Sequence, residues 1–492
     1  MQRVAGLRAD ARAIWNAGVA AVDARKLVRD LVSFSGDRLN LGCQSFPISE
    51  IGKIVVVGFG KATGAMAIGF EQALGGGRLD SSLIEGQVNV PDDQTVETSF
   101  IRVVGCRPPG ENLPTERVVQ STRKIMEYVR SSGPRDILVC LISGGGSALL
   151  EQPRDPITLE QLRETTTFLS NSGASIYELN KVRTAISMVK GGRLAMASGG
   201  APVISLIVSD VIGDDLDVIA SGPTVLPRPV EGLNRSIQAI EVLKKYDPKR
   251  TNIPVEIWTV LQSGVVDSDL LSEMGRQGPE NVTESLIASA LAGVELDQPV
   301  EEPIGPIVTN LVIGNVETAM VAAQRKAMQL GYEVELSRPS GNEGDAEAIG
   351  RAIAHQLRQM PKESKQYCQI MGGESTVAVC DDPGRGGRNQ HLVLSAIASI
   401  LENQPGPGLE YSVLSGGTDG EDGNVAVAGA GFDSSWVKSL GGSRRTDLLD
   451  KARSSLSQFD SHCFLSREGL LLDVPRTFTN VCDLRIVLSR SD

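Results

Sequence analysis

Histidine is scarce in this chain, with three residues among 492, and aromatic side chains make up only 4%. A Ser-His-Asp triad would have to draw on His391 or His462, and no GxSxG elbow surrounds Ser143 or Ser147. Hydrolysis by that route is set aside. The seven cysteines (43, 106, 140, 368, 380, 463 and 482) are odd in number, scattered and without a CxxC pair. They point to a reduced setting with no structural zinc, and Cys140 and Cys380, in apolar runs, read as buried thiols. No apolar run reaches the ~20 residues of a membrane span. The amino terminus has no apolar signal core, and its arginines 3, 8, 12 and 25 are interrupted by Asp10 and Asp23. A cytoplasmic protein is expected, with a mitochondrial address the lesser alternative. An excess of cations is also missing. A net charge of −12 and a pI near 5.0 argue against a general nucleic-acid surface. A local basic pocket for a small anion stays compatible with that balance.

What remains is an ordinary globular composition, 41% hydrophobic and 22% charged, with 53 glycines. The length suggests about two to four domains. Residues 7–33 show helical spacing and read as one amphipathic helix. From Lys53, short apolar runs (54–58, 136–142, 203–209) end in glycine, serine or aspartate and alternate with helical stretches. Continuous β-branched runs of this kind are expected of parallel strands covered on both faces. The fold class is therefore α/β, with a Rossmann-like doubly wound amino-terminal domain and a second α/β carboxyl-terminal domain starting near Ile307. The expected bounds are 1–45 for an amino-terminal helical segment, 46–300 for the first domain, with 225–300 as connection, and 301–492 for the second. Ligands bind at the carboxyl ends of strands in such sheets, so the loops after Val57, Ile142 and Val208 come first.

KIVVVGFGKATGAMAIG (53–69) is a strand, a glycine turn and a small-residue helix. Gly58, Gly60 and Gly64 fit neither a Walker loop nor a dinucleotide fingerprint, and on their own are as well explained by a structural turn. Lys61, read in the first turn of the helix, opposes the helix dipole unless an anion sits there. LVCLISGGGSALLEQP (138–153) places Ser143, Gly144, Gly145, Gly146 and Ser147 after a buried strand, offering N–H and hydroxyl donors to a carboxylate or polyphosphate. In LNKVRTAISMVKGGRLAMA (179–197), Lys181, Arg183 and Lys190 lie on a helix expected to end at Gly191-Gly192. They suit an anion or, equally, the helix carboxyl end. Asp210, directly after the strand 205–209, is the best placed carboxylate for Mg²⁺, although Asp215 follows closely. In MGGESTVAVCDDPGRGGRNQHL (371–392), a turn bearing Glu374 precedes a strand at 376–380. A second turn there delivers Arg385, Arg388 and Asn389, and a guanidinium matches phosphate geometry bidentately. LSGGTDGEDG (414–423) places Asp419 and Asp422 in a glycine loop suited to metal-linked phosphates or ribose contacts.

Together GFGKATGAMA, LISGGGSALL, LNKVRTAISMVKGGRLA, SLIVSDVIGDDLDVIASGPT, GGESTVAV, GRGGRNQH and LSGGTDGEDG, in that order, resemble the class II glycerate kinases. That family joins a Rossmann-like domain to one of the MOFRL type. The resemblance implies phosphorylation of D-glycerate by ATP with Mg²⁺ in a cleft between the domains, giving 2-phosphoglycerate. It matches the family's lysine to Lys61 and its arginine to Arg388. In the mechanism expected for such a transfer, Lys61 and Arg388 neutralise the γ-phosphoryl oxygens, while Asp210 and Asp419 hold or orient Mg²⁺ and help take the hydroxyl proton. The glycine loops, Lys181, Arg183, Lys190, Glu374 and Asn389 would bind substrate or nucleotide. A homodimer is one possible assembly; nucleic acid and membrane are not expected partners. Two departures stand out: LDVPRTFTNVCD (472–483) keeps Thr479, Asn480 and Asp483 but lacks the family's glycines, and PPGENLPTER lacks a histidine-proline pair. Two rival readings remain, an NAD(P)H-dependent hydroxypyruvate reductase and a nucleotide-binding assembly protein without turnover.

Overall fold

The computed structural model describes residues 6–75, 78–226, 231–266, 306–339, 341, 343–360, 366–377 and 383–491. Cys380, most of the strand expected at 376–380 and residues 267–300 of the expected connection lie outside them. The chain divides into two compact units. One, here the amino-terminal unit, comprises Leu31–Ile207 and Asp215–Leu311. The other, the carboxyl-terminal unit, comprises Met1–Asp30, Val208–Asp214 and Val312–Asp492.

The helix expected over 7–33 is two helices. α1 (Leu7–Ala21) ends at Val22, and Asp23 accepts the N–H of Lys26 to start α2 (Ala24–Leu31). Asp23 stops the helix because its carboxylate competes for backbone donors better than it continues the helix. Ala11, Ile14, Trp15 and Val19 of α1 are buried in the carboxyl-terminal unit with Met320, Ile370, Leu414 and Ile486. After α2 come three short antiparallel strands that the helical reading missed: β1 (Val32–Ser35), β2 (Arg38–Leu41) and β3 (Gln44–Pro47).

The amino-terminal unit is organised by a six-stranded sheet in the order β6-β5-β4-β7-β8-β9. Its strands are β4 (Ile54–Phe59), β5 (Ile84–Pro91), β6 (Ile101–Arg107), β7 (Ile137–Ser143), β8 (Val203–Val208) and β9 (Val308–Gly314). Strand β4 is parallel to β5 and β7, and β5 to β6. Every residue of β4, β7 and β8 is buried, as expected of strands covered on both faces. The stretch 308–314, expected to open the second domain, is an edge strand of this first sheet. Helices Glu231–Tyr246 and Val255–Val266 supply Ile240, Leu243, Trp258 and Leu261 to a core shared with α5 (Leu159–Asn171) and α6 (Ile176–Ile186).

The carboxyl-terminal unit holds a second six-stranded sheet, β10-β11-β15-β12-β13-β14. Strand β10 (Glu333–Ser337) runs parallel to β11 (Tyr367–Gly373), and β15 (Asp483–Ser491) is antiparallel to both β11 and β12 (Leu409–Gly417). The short β13 (Gly429–Asp433) and β14 (Leu471–Leu472) complete it. Asp483 opens β15 opposite Gly373 and Gly417, the last residues of β11 and β12. Two strand ends and one strand start thus meet at one edge. Helix Arg388–Glu402 lies on this sheet, burying Leu392, Ile397 and Leu401.

Candidate active site

In the amino-terminal unit the glycine turn after β4 and the GGGS loop after β7 are laced together. The N–H of Lys61 donates to the Gly144 carbonyl (2.9 Å), and that of Ala62 to Ser143 Oγ (2.9 Å). The turn needs Gly60: its φ is +143°, and a Cβ there would lie 2.2 Å from Ser143 Oγ. Helix Thr63–Leu74 begins after Ala62, so Lys61 precedes the helix instead of lying in its first turn. A residue absent from the sequence reading fixes the turn from below. Asn89, buried at the end of β5, accepts the Gly60 N–H on its carbonyl (3.2 Å) and donates from Nδ2 to Leu149 O (2.9 Å). Gly58 is a strand residue in register between Val88 and Leu141, not part of the loop. Ser143 is fully buried, and its hydroxyl serves the Lys61 turn. Gly145 leads into a single tight turn, Gly146–Ala148, whose middle residue, Ser147, is half-buried.

Behind this loop lies a polar network. Helix α6 stops at Ile186, four residues earlier than Lys190, so Lys190 is not helical. It is 1% exposed, and its Nζ donates to Ser147 O (2.8 Å) and Leu150 O and lies 3.3 Å from Glu151 Oε2. Burial drives its pKa down, and Glu151 opposes that shift. Lys190 therefore braces the loop from inside. Glu151 also accepts Ser187 Oγ (2.6 Å). Ser147 Oγ meets Ser221 Oγ (3.0 Å), which donates to Asn180 Oδ1 (3.0 Å). Ala220 and Ser221 have φ of +51° and +63°, strained for non-glycine residues. That geometry is held by Gly191 and Gly192, whose N–H groups donate to the carbonyls of Ser221 (3.0 Å) and Gly222 (2.7 Å). Arg183 faces this network from α6, half-buried, with its pKa lowered chiefly by burial and supported by Glu151. Lys181 is exposed on the helix.

In the carboxyl-terminal unit Arg388 is the first residue of its helix. Its Nε and NH2 donate to the two oxygens of Asp483 (2.6 and 3.0 Å), and its NH1 to exposed Glu374 (2.5 Å). Burial works against its charge, but Asp483, then Glu374 and Asp422, carry the pKa above its already high ordinary value. Asp483 has no exposure and also accepts Asn389 Nδ2 (3.0 Å). Asn389 is buried and further tied by Ser415 Oγ, so its amide orients the Arg388 helix. Asp422, expected to face a ligand, is instead an internal cap. It accepts the N–H groups of Asn389 (3.0 Å) and Gln390 (2.8 Å), together with both of their side-chain amides. Gly387 permits this, since a Cβ there would lie 2.4 Å from Asp422 Oδ1.

Segment 472–483, doubtful in sequence, is central to this unit. Asn480 Nδ2 donates to Asp210 Oδ2 (3.3 Å), Cys482 Sγ approaches the Asp210 carbonyl (2.9 Å), and Thr418 Oγ1 accepts from Val481 N (2.9 Å). Asp419 Oδ1 receives the Glu421 N–H (3.1 Å), and its carbonyl that of Thr477 (3.4 Å). Both half-buried carboxylates, Asp210 and Asp419, therefore border one loop. Among the described residues no three His, Cys, Asp or Glu converge as a metal ligand set. The structure gathers Gly60, Lys61, Ser143–Ser147, Arg183 and Lys190 in one unit, and Asp210, Glu374, Arg388, Asn389 and Asp419 in the other. The residues missed beforehand, Asn89, Glu151, Asn180 and Ser221, are uncharged or internally paired groups that act through main-chain geometry, which spacing does not reveal.

Two family models match the chain: a domain of unknown function (DUF4147) over residues 10–262 and the MOFRL family over residues 367–483. The glycerate kinase of Danio rerio is 32% identical, with 99% of this chain and 98% of that protein aligned. The glycerate 2-kinase of Pyrococcus horikoshii is 31% identical over 96% of this chain and 95% of its own. Among solved structures, a glycerate kinase from Thermotoga maritima matches 98% of this chain and 99% of its own, with 29% identity and a TM-score of 0.70.

Proposed function

This chain belongs to the glycerate kinases that join a DUF4147 domain to a MOFRL domain, and from that premise we propose that it transfers a phosphoryl group from ATP to D-glycerate. The observation that carries the reading is the locked turn at Lys61. Its main chain is bound to the glycine loop of the neighbouring parallel strand, at the carboxyl edge of the sheet. Such edges of open α/β sheets are where ligands bind. A reductase or a non-enzymatic assembly protein is not favoured by the relatives, which are kinases along their whole length.

Phosphoryl transfer asks a protein for positioning and charge neutralisation more than for covalent chemistry. We assign both tasks to Lys61 and Arg388. The planar fork of Arg388 is oriented beforehand by Asp483 and Glu374, so little side-chain entropy is lost when it meets a phosphate oxygen. Glu374, exposed and singly bonded, is the partner an incoming anion would displace. Asp210 and Asp419 suit Mg²⁺, which keeps several waters and takes one or two carboxylates together with substrate phosphates; bound there it would offset phosphate charge. Asp210 is also our choice to accept the proton of the glycerate hydroxyl. The amides around Gly145–Ser147 bind an anion of substrate or nucleotide. We assign 2-phosphoglycerate as product and the cytoplasm as compartment. No helix among the described residues is long and apolar enough to cross a membrane.

Purified protein with ATP, Mg²⁺ and D-glycerate, with 2- and 3-phosphoglycerate resolved, tests the reading. Formation of the 2-phosphate supports it. NADH oxidation with hydroxypyruvate, or ATP binding without turnover of glycerate, would replace it by one of the two rivals.

A further inference from the structure

Most cations of the amino-terminal unit's polar network are accounted for, and one is not. Glu151 and Lys190 are buried together, 2% and 1% exposed, and neutralise each other at 3.3 Å. Both Glu151 oxygens are occupied, Oε1 by Ser187 Oγ and the Gln152 N–H, Oε2 by Lys190. Arg183 lies close enough to raise the energy of the charged Lys190 and to be supported by Glu151. Yet among the described residues its guanidinium has no hydrogen bond and no ion pair, and it is only half-buried. The neighbouring guanidiniums of Arg154, Arg193 and Arg235 donate to the main-chain carbonyls of Ala185, Thr184 and Gly191, whereas that of Arg183 has no such acceptor among the described residues. A partly desolvated guanidinium without an acceptor is unfavourable, and a bound anion supplies one.

The surroundings of Arg183 are specific. Asn180, three residues earlier, lies on the same face of α6. It accepts Ser221 Oγ, which in turn meets the half-buried Ser147 Oγ. One cation beside two hydroxyls matches a small monoanion carrying hydroxyl groups. We propose that Arg183 receives the carboxylate of the acceptor substrate and so makes this enzyme select a hydroxy acid over a neutral polyol or amide. Lys190 and Glu151 act as positioning residues, holding Ser147 and the loop main chain against α6. The proposal rests on the glycerate kinase reading and adds to it the group that recognises the acid.

The test compares wild type, Arg183→Met and Arg183→Lys with D-glycerate and its neutral amide, glyceramide, as acceptors, and with ATP varied separately. Charge-assisted hydrogen bonds of this class correspond to roughly a 10- to 100-fold change in apparent affinity. Arg183→Met should raise the KM for D-glycerate by that factor, leave the KM for ATP within about threefold, and abolish most of the preference for the acid over the amide. Arg183→Lys should fall between the two, and guanidinium added to Arg183→Ala should restore part of the loss. Melting curves identify any variant that fails to fold, in which case the lysine variant decides. A raised KM for ATP with unchanged glycerate kinetics would move Arg183 to the nucleotide and overturn the proposal. Unchanged kinetics for both would make it structural and overturn it equally. Absence of D-glycerate turnover in wild type would instead refute the glycerate kinase reading itself.

Discussion

Arg388 and Asp483, 95 residues apart in the chain, form a two-pronged ion pair of 2.6 and 3.0 Å at the edge where β11, β12 and β15 meet. The two partners are not equivalent. Asp483 is wholly buried and lies 3.8 Å from Arg485, which is itself 2% exposed and has Nε and NH2 without hydrogen-bond partners. Arg388 is about one third exposed and has Glu374 as a further partner.

From that asymmetry, Asp483→Ala should cost more stability than Arg388→Ala. Removing the buried carboxylate takes away the acceptor of Arg388 Nε and NH2, unties Asn389 and leaves Arg485 to Glu343 alone, a loss on the order of 3–5 kcal/mol. Removing Arg388 leaves Asp483 still bonded to Asn389 and near Arg485, so a loss of about 1–3 kcal/mol is expected. Denaturant midpoints of the two variants give the comparison. Equal or reversed losses would show that Asp483 does not organise this edge.

For activity the weight falls on Lys61 and Arg388. Each is assigned a contact that matters most in the transition state, so Lys61→Ala and Arg388→Ala should each lower kcat by roughly a hundred- to a thousandfold. Melting temperature should change little for Lys61→Ala, because the turn is held by main-chain bonds that the substitution leaves in place. Near-normal turnover in either variant removes that side chain from the mechanism.

Gly60→Ala separates the turn from the lysine. Its Cβ would lie 2.2 Å from Ser143 Oγ and 2.5 Å from the Ser143 carbonyl, at a φ of +143°. No side chain rotation relieves a clash with main chain, so the turn and β7 must move apart. A loss of at least ~2 kcal/mol in stability is expected, along with Lys61-like loss of kcat although Lys61 is intact. A fully active Gly60→Ala would mean the turn is not the anchor described here.

How much of this was legible in advance depends on the physics each residue uses. β4, β7 and β8 announced themselves as unbroken β-branched runs, and Lys61 and Arg388 as cations between glycines. Strand Val308–Gly314 looked like the start of a new domain because nothing in its pattern says which sheet it joins. Asp422 looked like a ligand-facing loop acid, but helix Arg388–Glu402 consumes it, and only tertiary structure brings residue 422 to residues 389 and 390. Asp483 appeared merely retained in a divergent loop. Its importance comes from register, opposite Gly373 and Gly417, which the order of residues along the chain does not encode.

The Lys190–Glu151 pair yields a sharper test than either residue alone. Lys190→Met leaves a buried carboxylate with only Ser187 and the Gln152 N–H, and should cost about 3–5 kcal/mol. Adding Glu151→Gln removes the stranded charge, so the double variant should regain part of that loss. Additive losses in unfolding experiments would show that the two charges do not act as a pair.

Asp422 makes stability depend on acid in an unusual direction. Its pKa is pushed up to about 6, chiefly because burial disfavours the charged form. The amides of Asn389 and Gln390 oppose that shift, and the charge of Asp483 adds to it. The native protein therefore holds this proton more tightly than the unfolded chain, whose aspartates titrate near ~3.9. Between pH ~4 and ~6 the native state carries the extra proton, so this group's contribution to stability falls as pH rises through that window and is level above it. A difference of about two pKa units corresponds to on the order of 2–3 kcal/mol. Asp422→Asn, neutral throughout, supplies the reference. The unfolding free energy of wild type minus that of the variant should decline by that order from pH 4 to 7. A difference that rises with pH would mean that the helix N–H groups outweigh burial and hold Asp422 ionised in acid.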